Sequence, residues 1–260
     1  MKTLLREAGL SRVQPKAMAC ARMPNAFNRF RYRLHDRATA RWSEPIRTPG
    51  RRLSAWASMM LADHGFIRLF HPNRHRITPR MVRSAQPAPH DLKWARAAGI
   101  RTIINLRGGT IFGSTALERE ACARLGLAYE IFVIYSRAAP SRAQIHGLAA
   151  LYQRVEKPVL IHCKSGSDRA GLAATLWMIF VEGQSVAEAS KQLSLRFGHV
   201  RQGKTGILDA FFESYLADNA REPIEFLQWV DTVYDPDALE RSFHAGFWGN
   251  LLVDKIFRRE

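Results

Sequence analysis

The 260-residue chain is poor in cysteine: Cys20, Cys122 and Cys163 are the only three. They are widely spaced and form no Cys-x-x-Cys, which excludes a disulfide framework and a zinc site of the usual spacing. A reduced intracellular setting fits that usage. His71 and His75 have no carboxylates at ligand spacing, so neither a metal nor a cofactor is expected. No run reaches the roughly 18 apolar residues that a membrane-spanning helix needs. The longest uncharged stretch, 170–181, is too short. No apolar secretory core follows the first lysine, so a cytoplasmic location is expected. Internal repeats and low-complexity tracts are also missing.

Acidic residues are the other scarcity. Lys and Arg number 39 against 23 Asp and Glu, a formal charge of +16. Such an excess favours anionic partners: phosphorylated substrates, acidic lipid headgroups or nucleic acid. It is steepest in residues 1–52, which hold thirteen Lys and Arg against Glu7, Asp36 and Glu44. Phe27, Phe30, Tyr32 and Trp42 are interspersed there, but no nucleic-acid motif is recognisable, and a nucleic-acid partner is not expected. Residues 1–52 read as a basic, partly disordered extension. Residues 53–72 follow, with an amphipathic helix and a turn at Gly65 over 53–70, whose Trp56, Met59, Met60, Phe66, Ile67, Leu69 and Phe70 are expected to pack on a core rather than insert into lipid.

From residue 73 the pattern becomes α/β. Short strands are marked by Ile77 and by 81–83. A helix over 91–98 ends at Gly99, and 100–106 reads as a strand buried on both faces. Thr115 and Glu118 have the spacing of a capping box for the next helix, as do Ser141 and Gln144 further on. A strand over 127–134 lies between those helices. After residue 171 the chain is apolar around a whole helical circumference, which places that helix in the core. Residues 207–216 and 223–234 read as helices, and 247–259 as a basic amphipathic tail. The expected architecture is a central, mostly parallel sheet of about four to five strands flanked by helices. The main domain spans 73–220 and a helical extension 221–260.

The chemistry concentrates in 158–171. An apolar strand ends at His162 and Cys163; Lys164, Ser165, Gly166, Ser167 and Asp168 follow, then Arg169 and a helix. A helix start offers unpaired N–H groups and the positive end of a dipole, and so holds an oxyanion. Gly166 permits backbone angles closed to other residues. Arg169 can grip two phosphate oxygens through its planar fork. A thiol in such a cradle, of ordinary pKa about 8.5, can fall to roughly 3.5–7.5 and become a nucleophilic thiolate.

This stretch resembles the His-Cys-x5-Arg signature loop of the cysteine-dependent phosphatases. Residues 81–87 and 99–107 are similar to the entry strands of the bacterial and plant-fungal dual-specificity-type branch, and the likeness spans about 73–215. It implies a cysteinyl-phosphate mechanism with Cys163 as nucleophile. Arg169, with Lys164, Ser165, Gly166, Ser167 and Arg107, would bind phosphate, and His162 would support the loop. Relatives carry a general-acid aspartate on the loop before the catalytic strand. Here 134–140 has none, and no aspartate occurs between Asp91 and Asp168. Asp168 is therefore the candidate acid, with simple pairing to a neighbouring base as the alternative. Ala170 stands where many relatives have Ser or Thr. Gln202 and Lys204 are further substrate or water contacts to test, and Cys122 a resolving thiol or an apolar filler.

The activity implied is a phosphomonoester hydrolase of the tyrosine or dual-specificity type acting on phosphoproteins. A phosphatase of lipid or inositol phosphates at the inner face of a membrane, such as one for phosphatidylglycerophosphate, is the first alternative. A non-catalytic phosphate-binding module is the second, opposed by the joint presence of Cys163 and Arg169. A rhodanese-like sulfur carrier also places cysteine in a cradle, but the arginine six positions on fits phosphate better.

Overall fold

A computed structural model describes Arg37, residues 39–109 and residues 111–244. The basic stretch up to residue 36 and the tail from 245 lie outside the described residues, as does Cys20. Five strands form one mixed sheet in the order β1-β2-β5-β3-β4. They are β1 (His75–Thr78), β2 (Met81–Ser84), β3 (Thr102–Asn105), β4 (Ala128–Ile131) and β5 (Val159–His162). β1 runs antiparallel to β2, and every other pairing is parallel. The parallel neighbours β2 and β3 put β5 at the centre of the sheet, with His162 level with Ser84 and Asn105.

Strand periodicity sorts the core onto two faces. Val82, Ile103 and Leu160 point to one side, where they meet Leu92 of α3 (Pro89–Ala97) and Cys122 of α4 (Gly113–Leu125). Met81, Ile104 and Ile161 point to the other. There they meet α5 (Arg142–Arg154), the apolar α6 (Asp168–Phe180) and α8 (Ile207–Arg221). The short α7 (Val186–Ala189) and α9 (Phe226–Thr232) complete that layer, where Phe211, Phe226 and Trp229 make an aromatic cluster. The all-round apolar α6 is buried from Ala170 to Met178, as expected.

The N-terminal part departs from the sequence reading. Residues 39–43 are helical and Trp42 is buried, packed with Ala55, Met59, Ala116 and Leu117. The helix and Gly65 turn expected over 53–70 are α1 (Pro49–Ala57), a π-helical turn (Ser58–Ala62) and, from Gly65 on, a second helix α2 (Gly65–Phe70) that was not expected. The break has a cause. Asp63 is drawn inward by cationic partners, His64 takes a left-handed φ of 55°, and Gly65 lies so close to Met59 that a Cβ would sit 2.6 Å from its carbonyl oxygen. Of the apolar side chains expected to pack inward, Met59 is buried and Trp56 and Met60 pack partly buried against the same cluster, whereas Phe66, Ile67, Leu69 and Phe70 are exposed.

The capping box read at Thr115 and Glu118 is likewise corrected. The helix begins three residues earlier, with Phe112 as its cap and Gly113 as its first residue; Gly113 abuts Ala55, and a Cβ there would lie 2.5 Å from the Ala55 Cα. Glu118 falls inside the helix and is fully buried. The Ser141–Gln144 box forms as expected.

Candidate active site

The loop between β5 and α6 lies at the carboxyl end of the central strand, where an open α/β sheet offers its crevice. Gly166 has φ 77°, and a Cβ on it would lie 2.6 Å from the Ala85 nitrogen. Only glycine fits the turn there.

The carbonyls of residues 164–167 are held from outside the loop. The Lys164 carbonyl accepts from the Gln86 N–H at 3.3 Å and the Ser165 carbonyl from Asn73 Nδ2 at 2.9 Å. One guanidinium nitrogen of Arg83 donates to both the Gly166 and Ser167 carbonyls at 2.8 Å. Peptide planarity then turns the following N–H groups the opposite way. Those of Ser165, Gly166 and Ser167 have no acceptor among the described residues. The result is a concave row of donors, the arrangement that binds anions.

Arg83 is fully buried, yet its identity as the loop's clamp was not read from the sequence. Its other terminal nitrogen donates to the Gln192 carbonyl at 2.7 Å, and its guanidinium lies 4.1 Å from the centre of the Phe197 ring. Burial pulls its pKa down to about 10, against the pull of Cys163 and Asp168, so it stays charged at neutral pH. Asn73, at φ 42°, was also unforeseen; its Nδ2 joins the loop to the Phe197 carbonyl.

Cys163 lies at the base of the cradle and is 2 % exposed, while Lys164, Asp168 and Arg169 are half-buried and Ser165 is exposed at the rim. Beneath it His162 is sealed in, its Nε2 against Oε1 of buried Glu118. Glu118 Oε2 accepts from Gln86 Nε2 at 2.8 Å. Glu118 thus joins His162, at the end of β5, to Gln86.

The expected phosphate contacts divide. The Arg169 side chain forms no hydrogen bond or ion pair with any described residue. Arg107 instead donates both terminal nitrogens to Asp63, at 2.8 and 2.9 Å. Lys164 Nζ lies 3.4 Å from the same carboxylate. Asp63 also accepts from Ser114 Oγ at 2.8 Å and pairs with Arg68 at 3.1 Å. Burial pushes its pKa up, but Arg107, Ser114 and Arg68 outweigh that and hold it at about 2.

Asp168 has a partner the sequence did not point to. Its Oδ1 lies 2.8 Å from His199 Nδ1, and His199 Nε2 lies 2.6 Å from Asp209 Oδ2. His199 is 1 % exposed. Burial alone would lower its pKa, but the bonds to Asp168 and Asp209 raise it to about 9, so it is an imidazolium at neutral pH. Gln202 and Lys204 are exposed. Cys122 lies in the core of the opposite sheet face from Cys163, its thiol pushed up by burial, and acts as an apolar filler. Among the described residues no cluster of His, Cys, Asp and Glu is arranged to hold a metal ion.

The fold and the loop together define a cysteine-dependent phosphatase of the tyrosine and dual-specificity type. Residues 71–207 match the family described as DSP-PTPase phosphatase fused to NAD+ kinase; they are more than half of the chain, and the protein belongs to that family. Among solved structures it is similar to P. aeruginosa TpbA, at 19 % identity and a TM-score of 0.46 over 65 % of this chain and 89 % of that one. PTPMT1 is similar at 18 % identity and a TM-score of 0.42, over 57 % of this chain and 99 % of that one. A putative phosphatase from Shewanella putrefaciens CN-32 is similar at 18 % and 0.45, over 58 % and 97 %. No curated protein matches the chain.

Proposed function

We propose that Cys163 is the nucleophile of this phosphatase and that Arg169 and the loop N–H groups hold the transferring phosphoryl group. The supporting observation is the division among the cations. Arg83 and Arg107 are engaged by carbonyls and a carboxylate, whereas Arg169 has no protein partner among the described residues. In the first step the S–P bond forms and the ester P–O bond breaks. The leaving oxygen takes the proton that Asp168 and His199 share, leaving neutral imidazole. In the second step water attacks phosphorus, the S–P bond breaks, and the proton released by water returns to the pair. His162 and Glu118 keep the strand end rigid beneath the sulfur.

Membership of a tyrosine and dual-specificity family supports a phosphoprotein as substrate. A lipid phosphomonoester is the second reading, and one observation favours it: the apolar face of α2 is exposed and joined to the loop rim through Asp63. The enzyme then works in a reducing compartment, at a membrane surface. Cys163→Ser should abolish hydrolysis of an aryl phosphate; undiminished turnover by that variant would remove the thiol from the mechanism. Competing a phosphotyrosine peptide against phosphatidylglycerophosphate in vesicles then separates the two substrate classes.

A further inference from the structure

The helix α2 is built inside out. Of its six residues, Gly65 is buried and Arg68 turns in to pair with Asp63, while Phe66, Ile67, Leu69 and Phe70 face solvent. Phe70 is 88 % exposed, and Leu61, in the turn before, 76 %. Phe66 and Phe70 stand one helical turn apart on the same side. A helix that merely covers a core places its large apolar residues the other way round. Contiguous exposed apolar surface of this kind marks a site of interaction.

The surrounding charge points to the occupant. Between residues 45 and 90 the chain holds eight arginines and one acidic residue, the buried Asp63; the flanking Glu44 and Asp91 pair with Arg51 and Arg74. Arg47 and Arg76 are exposed and have no acidic partner among the described residues. Aromatic and aliphatic side chains in a stretch where arginines outnumber carboxylates match the interface of an anionic bilayer, where the apolar groups enter the acyl boundary and the cations meet phosphate. The chain's own N-terminal stretch suits the face poorly, since residues 1–36 hold eight Lys and Arg against Glu7 and Asp36. A second copy would bring the same positive charge.

We infer that Leu61, Phe66, Ile67, Leu69 and Phe70 form a docking face that seats this protein on an anionic lipid surface, with the rim of the phosphate loop turned to the headgroups. The link is Asp63, which binds Arg68 of α2 at 3.1 Å and Lys164 of the loop at 3.4 Å. Docking rests on the lipid reading only for its purpose; the binding itself needs no catalysis.

The test is co-sedimentation of the full chain with vesicles of phosphatidylcholine, with and without phosphatidylglycerol. Partition should need the anionic lipid and weaken as salt is raised. Leu61→Ser with Phe70→Ser should lower it by about tenfold or more, since two exposed apolar side chains no longer enter the bilayer. Turnover of a soluble aryl phosphate by that variant should be unchanged. Should the double variant misfold, Phe70→Ser alone decides, because that ring touches little. Equal binding to neutral vesicles overturns the inference. So does unaltered binding by the variant, which would assign attachment to the residues before 37 or after 244. A change in oligomeric state on Phe70→Ser would assign the face to a second copy and overturn it as well. Cys163→Ser should bind vesicles like the wild type, which keeps this outcome separate from that of the catalytic reading.

Discussion

Arg83 and Arg169 flank the same loop and differ in every physical respect. Arg83 is buried in a strand, with each terminal nitrogen donating to loop or backbone carbonyls. Arg169 is half-buried on the first turn of α6 and donates to no described residue. The first is bound up in holding the loop's carbonyls, and the second has no described protein acceptor, which is what the proposed phosphate contact requires. Arg107 sides with Arg83, because Asp63 occupies its fork. Cationic character alone therefore does not separate these arginines; the carbonyls and carboxylates around them do, and they support Arg169 as the proposed phosphate contact.

The sharpest test of that contrast is Arg169→Met. Aryl phosphate turnover should fall by about 10³-fold or more, as when a preorganised charge on the transition state is removed. The urea midpoint should hardly move, because no protein contact is lost. Arg83→Met should do the reverse in origin. It leaves the Gly166 and Ser167 carbonyls short of a donor, at roughly 1–3 kcal/mol each, and the loss should appear first in urea denaturation. Equal destabilisation by the two variants would break the distinction.

The narrowest test is His199→Asn, and it is read in pH dependence. Folding raises the His199 pKa from 6.5 to about 9, so the stability it contributes is complete below about pH 6.5 and disappears as pH rises through about 9. Wild-type stability should decline over that window and the variant's should not. In the same window wild-type turnover of an alkyl phosphate, whose leaving group needs a proton, should fall. An aryl phosphate should be nearly indifferent. An alkaline limb that persists in the variant would take His199 out of proton transfer.

The elements that carry this chemistry differ in how far the chain betrays them. The β5 strand, the loop and α6 are contiguous, and an apolar run, a glycine and an uncharged helix announce them together. The helix-breaking Gly99 and the Ser141 cap are equally local, and both appear where expected. Arg83, Asn73 and His199 act across the fold, 84, 92 and 31 positions from their partners in or beside the loop. No local period marks them. An arginine between Val82 and Ser84 was a faint signal, since a charged residue in an apolar strand needs partners. Glu118 was misread because its spacing from Thr115 mimics a cap. The 53–70 segment was misread because amphipathicity says which residues share a face, not which way the face looks.

Gly166 rests against the backbone of β2, with no space for even a methyl group. The width of the phosphate cradle is thus imposed by a neighbouring strand and is not encoded by the loop. The same seven residues transplanted onto another strand end, without that wall at their back, would keep their chemistry on paper and lose the shape that lets them use it.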